Sequence, residues 1–171
     1  MKKKTPVISA PSKLDISFGP FILEGFTRPE FDIKRFKIDV PDASVDEIYS
    51  AHLIQRFTGE DRPVFMDELY RIMKPGAKVT IVAPYWSSSR AIQDFTHQWP
   101  PIVEQSFLYF NKEWREKAGA KDYPVKCDFD FTYGYGYEQE TSVRSDDVKP
   151  HWVKHYTNSV NDIQVVLTKK T

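Results

Sequence analysis

The chain has 171 residues, and Lys+Arg 24 balance Asp+Glu 24 to a formal net charge of zero, so no global field recruits nucleic acid or an anionic membrane. Hydrophobic residues make up 40% and aromatics 15%. That excludes a disordered chain and predicts one packed domain over residues 1–171. The only cysteine, Cys127, excludes an internal disulfide and a Cys-based zinc site, and it fits a cytoplasmic setting.

Met1-Lys2-Lys3-Lys4 is followed by no apolar block, so a flexible basic tail is expected over residues 1–12 rather than a signal peptide. The longest apolar stretches, such as Val79 to Ala83, are strand-sized and argue against a membrane partner. Lys13 to Phe18 forms a short strand candidate that runs into a Gly19-Pro20 turn. From Phe21 to Asp42 the pattern predicts loop, with one short strand around Phe36 to Val40. Ser44 to Ala51 is expected as a strand, followed by a short helix through His52 to Phe57.

Asp61-Arg62-Pro63 suggests an N-cap with proline in the first turn. Phe65, Leu69 and Ile72 then recur at helical spacing until Lys74-Pro75-Gly76 ends the helix. Lys78 to Ala83 is β-branched and strand-like, which completes a strand–helix–strand unit of a parallel sheet. A short helix is expected within Glu104 to Lys117. Phe129, Phe131, Tyr133, Tyr135 and Tyr137 fall on one face of a strand over Lys126 to Tyr137, and Asp162 to Thr168 gives a last strand. The expected class is α/β, with a mixed sheet and antiparallel C-terminal strands.

The aromatic stripe carries no interleaved basic residues, and Asp128, Asp130 and Glu138 would repel phosphate. It is expected to be a buried face rather than a nucleic-acid platform. His151 and His155 have helical ligand spacing but no third ligand of suitable type nearby, so no metal site is expected.

Leu14-Asp15-Ile16-Ser17-Phe18-Gly19-Pro20 resembles the first motif of class I S-adenosylmethionine-dependent methyltransferases of the type 11 kind. Asp42 to His52 and Glu68 to Lys78 resemble two further segments of that family, at matching spacing. The resemblance implies a Rossmann-like methyltransferase fold, here reduced. Only about two dozen residues separate Gly19 from the Ser44 strand, too few for a helix, strand, helix and strand. It also implies S-adenosylmethionine as cofactor, held near Asp15, Ser17, Phe18, Gly19, Ser50 and His52. Ser17 and Phe18 stand where the family carries two small residues. The family's ribose-binding acid at the end of its second strand would have to be Glu30 or Asp32.

The acceptor pocket implied by the resemblance follows Pro84, with Tyr85, Trp86, Thr96 and Tyr109 as binding candidates. His97 is the candidate general base, with Asp94 three residues before it. The acceptor itself, small molecule or macromolecule, and the oligomeric state are left open. Two function classes remain: methyl transfer, or a methyltransferase-like fold that has lost its cofactor and serves as a binding or assembly module.

Overall fold

Residues 12–171 are described in the structure, a computed structural model. The expected basic tail lies outside the described residues apart from Ser12, whose carbonyl accepts hydrogen bonds from Asp46 and Glu47 at 2.8 and 3.1 Å. The elements in chain order are β1 (Lys13–Asp15), β2 (Phe31–Asp32), β3 (Lys37–Ile38), β4 (Val45–Ala51), α1 (Asp61–Ile72) and β5 (Met73–Pro84). There follow α2 (Ser89–Ile92), α3 (Lys112–Lys117), β6 (Phe129–Tyr137), α4 (Gln139–Ser142), α5 (Lys149–His155) and β7 (Val160–Lys169), with 3-10 turns at Ile54–Arg56 and Glu104–Phe110.

The main sheet runs in the order β1-β4-β5-β7-β6. Its first three strands are parallel, whereas β7 lies antiparallel to both β5 and β6. The fold is therefore mixed α/β with antiparallel C-terminal strands, as the sequence pattern implies. In the region too short for a full pair of crossovers, the chain makes two small pieces instead. Thr27 forms a single parallel bridge beside Leu14 of β1, and β2 and β3 form a separate two-stranded hairpin.

Alternation explains the core. Ile48 of β4, Val79, Ile81 and Ala83 of β5, and Ile163, Val165 and Leu167 of β7 are buried from the same side of their strands. Phe65, Leu69 and Ile72, the helical stripe of α1, are fully buried against them. Asp61 is the first helical residue rather than the cap, and its N–H is met by the Thr58 hydroxyl at 3.2 Å.

Glu68 and Arg71, within a family-like segment, act as a clamp on this helix. Glu68 Oε1 accepts from the Ile38 N–H at 2.7 Å, and Arg71 donates to the Glu68 carboxylate, to Asp42, and to the Ile38 and Val40 carbonyls at 3.1 Å. Burial raises the Glu68 carboxyl, but the Arg71 hydrogen bonds and the Ile38 N–H outweigh it and hold the group below its ordinary value. The clamp fixes the hairpin and the entry to β4.

Two elements differ from the sequence expectation. Residues 52–57 form only one 3-10 turn, and β5 starts at Met73, so Lys74-Pro75-Gly76 lies inside it. Of the aromatic stripe, Phe129 is fully buried, whereas Phe131, Tyr135 and Tyr137 are half-buried and Tyr133 is 51% exposed. The stripe begins in the core, where Phe131 packs against Phe107, and its second half lines a cleft.

Candidate functional site

Parallel strands point their carboxyl ends to one edge, and in open α/β sheets ligands bind beyond that edge. The register fixes which residues share it here. Ala51 of β4 pairs with Val82 of β5; one step on, Pro84 aligns with Asp162 of β7, which aligns with Gly136 of β6.

The turn after β1 is the first piece of this edge. The Asp15 side chain is buried, with Oδ1 accepting from the Ser17 N–H at 2.8 Å and Oδ2 from the Leu23 N–H at 2.7 Å. Burial raises its carboxyl, yet these hydrogen bonds and nearby Arg28 hold it below its ordinary value. The Ser17 hydroxyl accepts from the Ala51 N–H at 2.9 Å, and the Phe18 N–H donates to the Ala51 carbonyl at 2.8 Å. Arg28, just past the Thr27 bridge, donates to the Gly19 and Phe21 carbonyls at 2.5 and 2.7 Å. Gly19 has φ of +112° with open space where a Cβ would stand, so a ligand can approach the backbone there.

The second piece joins residues far apart in sequence. The Arg56 guanidinium lies 3.6 Å from the Phe18 ring centroid, and the same group donates to Asp94 at 3.0 Å and to Thr96. Asp94 in turn accepts from the Thr96 N–H at 2.9 Å and faces His97 Nε2 at 3.6 Å. His97 Nδ1 lies 3.2 Å from the Ala91 carbonyl, to which it donates in the tautomer protonated at Nδ1. Phe18, Asp94, Thr96 and His97 are thus brought together, and Arg56, which sequence spacing does not single out, connects them.

His52 follows β4 in the left-handed region, at φ of 55°, with its N–H bound to the Val82 carbonyl at 2.8 Å. Burial pushes its imidazole below the ordinary value; Asp162 opposes this, while Arg90, His97 and Arg56 add to it. Arg90 and Asp162 pair at 2.7 Å. Ser50 is fully buried, so it lies beneath this edge rather than on an open wall. Its Oγ, together with Gln55 Oε1, Arg56 Nε, Ser87 Oγ and Asp162 Oδ1, is buried without a hydrogen-bond partner among the described residues. These five and Arg28 Nε stand at or just past this carboxyl edge, whereas a seventh such atom, Arg144 Nε, lies beside Trp152 of α5; buried unpaired polar atoms call for a polar partner.

Tyr85 and Trp86 stand elsewhere on the edge, in a cleft of about 640 Å³ together with Glu104, Tyr133, Tyr135 and Tyr137. The Tyr85 hydroxyl donates to Glu104 Oε1 at 2.8 Å, and burial with that bond pushes the phenol well above its ordinary value. Tyr109 is not part of this group. It packs on Trp114 and Tyr123 with ring centroids 5.0 Å apart and lines a separate apolar cavity near the start of α1. Of the two acids considered for ribose, Asp32 accepts from the Lys34 and Arg35 N–H groups of its own turn, whereas Glu30 is exposed three residues beyond the Thr27 bridge. His151 and His155 are exposed with rings 4.5 Å apart, and among the described residues no group of three or more His, Cys, Asp or Glu could hold a metal ion. No helix among the described residues is long and apolar enough to cross a membrane.

Residues 27–81 match the family model described as a methyltransferase domain. This span runs from the Thr27 bridge to the middle of β5 and contains the Glu68–Arg71 clamp. No curated protein matches the chain. Among solved structures, a SAM-dependent methyltransferase from Archaeoglobus fulgidus aligns at 17% identity and TM-score 0.52, over 76% of this chain and 62% of that one. The chain therefore spans less than two thirds of that protein's length. An S-adenosylmethionine-dependent methyltransferase from Mesorhizobium loti aligns at 12% identity and TM-score 0.49, over 88% of this chain and 72% of that one. A Haemonchus contortus phosphoethanolamine N-methyltransferase, in complex with phosphomonomethylethanolamine and S-adenosylhomocysteine, aligns at 15% and TM-score 0.43, over 78% and 35%. At the first of these scores the likeness is one of fold, and the fold is the Rossmann-like one of class I methyltransferases.

Proposed function

We propose that this chain is a single-domain, cytoplasmic S-adenosylmethionine-dependent methyltransferase whose cofactor lies over the carboxyl ends of β1 and β4. The observation that carries the reading is the concentration of unpaired buried polar atoms at that edge, Ser50 Oγ, Arg56 Nε and Asp162 Oδ1 among them, in a sheet whose residues 27–81 match a methyltransferase domain. When bound, the cofactor supplies an electrophilic methyl group on a sulfonium.

The residues present fit such a group. Gly19 leaves its backbone approachable, Asp15 and Arg28 hold the turn from below, and His52 lines the neighbouring strand end. The exposed Glu30 carboxylate accepts no hydrogen bond among the described residues and is open to ribose hydroxyls, whereas the Asp32 carboxylate is engaged within its hairpin. Catalysis of methyl transfer comes mainly from orientation and exclusion of water. Arg56 contributes by fixing the Asp94–His97 loop over the turn. For an acceptor that must lose a proton, His97 Nε2 is the receiving atom, with Asp94 stabilising the imidazolium. A fully buried free Cys127 suits the cytoplasmic assignment.

A second reading has its own support. Phe18 stands where small residues would leave room, and the Arg56 stack at 3.6 Å closes one face of its ring. On this reading the turn is filled from within and the domain is a non-catalytic binding module. Thermal unfolding with S-adenosylhomocysteine separates the two. The transferase reading predicts a rise in Tm for the wild-type chain and, for Glu30→Ala, binding weaker by about tenfold, the scale of one lost charged hydrogen bond. An unchanged Tm at millimolar ligand favours the module.

A further inference from the structure

The cleft at the far end of the carboxyl edge has a composition of its own. Its buried base is Tyr85, whose ring meets that of Tyr135 at 5.3 Å and 66° and that of Trp86 at 6.3 Å and 64°. Tyr133, Tyr135 and Tyr137 follow along β6, with successive centroids 5.6 and 5.8 Å apart. The intervening residues are Gly134 and Gly136, so the tyrosines of this strand stand on one side of it.

Five aromatic rings thus border a space of about 640 Å³, and the carboxylate in its lining is Glu104. The hydroxyls of Tyr85 and Tyr135 both donate to one oxygen of that carboxylate, Oε1. No donor among the described residues meets Oε2. Trp86 and Tyr133, at 47% and 51% exposure, keep much of their ring surface open. The attraction of these rings for cations is already visible at the margin, where the Lys149 ammonium lies 5.4 Å from the Tyr137 centroid.

We propose that this cleft binds an organic ammonium ion, the cationic nitrogen seated among Tyr85, Trp86, Tyr133 and Tyr135 with Glu104 as its counter-charge. The argument is chemical. Aromatic faces carry negative potential and attract a weakly hydrated cation, and a half-buried carboxylate adds charge that a neutral ligand would not use. The volume lies in the range of small-ligand pockets. Lys154, exposed at the rim, would meet an anionic substituent on the same ligand. The inference stands on the cleft's own residues and holds whether or not the chain transfers methyl groups.

The test is a calorimetric titration of the full chain, without cofactor, by choline and by its neutral isostere 3,3-dimethylbutan-1-ol. A peptide carrying trimethyl-lysine forms a parallel arm that distinguishes a free small molecule from a modified side chain as the source. The expected result is binding of choline or of the peptide at least about tenfold tighter than the isostere. Glu104→Gln keeps an acceptor for both tyrosine hydroxyls and should remove most of that preference. Tyr133→Leu, on an exposed position, should weaken the cation about tenfold and leave the isostere unchanged. Equal binding of cation and isostere, or no binding of either cation, overturns the proposal.

Discussion

Two arginine–carboxylate networks sit at opposite ends of the parallel strands, and they are built to different standards. At the entry to β4, Arg71 meets Glu68, Asp42 and two carbonyls, and among the described residues no buried side-chain atom of this clamp lacks a partner. At the carboxyl edge, Arg56 meets Asp94, Thr96 and the Phe18 ring, but its Nε and the nearby Ser50 and Asp162 oxygens are unpaired. The first network spends all its hydrogen-bonding capacity on the fold. The second holds capacity back, next to a histidine in a left-handed conformation, which is how stability is exchanged for a site.

Breaking the comparison should therefore give opposite results at the two ends. Arg71→Met leaves the buried Glu68 carboxylate with only the Ile38 N–H and Lys37 at 3.6 Å and should cost about 3 kcal/mol of stability, read as a lower urea midpoint at unchanged slope. Arg56→Met should leave that midpoint nearly unchanged while weakening S-adenosylhomocysteine binding. Equal losses of stability would mean that the carboxyl edge is scaffold as well.

Next in size, Asp15→Asn replaces a carboxylate that accepts two N–H bonds and should cost about 1–3 kcal/mol. Because folding holds this carboxyl below its ordinary 3.8, its contribution is present above that value and is lost as pH falls through the folded one. The stability difference between the wild-type chain and Asp15→Asn should therefore shrink as pH falls below 3.8, and a difference independent of pH would contradict the sign.

His52 gives a smaller and higher-pH signature. Its imidazole is held below 6.5 in the fold, so the unfolded chain takes up the proton first and stability falls as pH drops below 6.5. His52→Asn should flatten the stability profile in that window, and a profile unchanged by the substitution would contradict the burial argument. The smallest expected effect belongs to Phe18→Gly, a gain in S-adenosylmethionine affinity of less than about tenfold, the scale of one cation–π contact. A loss of affinity would identify Phe18 as a ligand contact instead of an obstruction.

The helix and strand at the clamp end are legible in the sequence, the clamp's own long-range contacts are not, and the open end is legible only in part. Phe65, Leu69 and Ile72 announce α1 through their spacing, and the β-branched run from Val79 announces β5, because burial on one face imposes a period. Asp15, Ser17 and Gly19 could be placed at a strand end by the Gly19-Pro20 turn and by the likeness of their segment to a family motif. Arg56, Glu104 and Asp162 could not. Their partners lie far away along the chain, as with Arg56 and Asp94 or Tyr135 and Glu104, and no local pattern records such contacts. The tyrosine stripe shows the limit of period alone: alternation gives the face of β6, but not that its second half opens into a cleft.

Calorimetric titration of the whole chain with S-adenosylmethionine tests the central claim most directly. The account predicts saturable heat at micromolar ligand, about −8 kcal/mol of binding free energy, weakened about tenfold in Glu30→Ala. No heat at millimolar ligand, from a chain that still unfolds cooperatively, would contradict it.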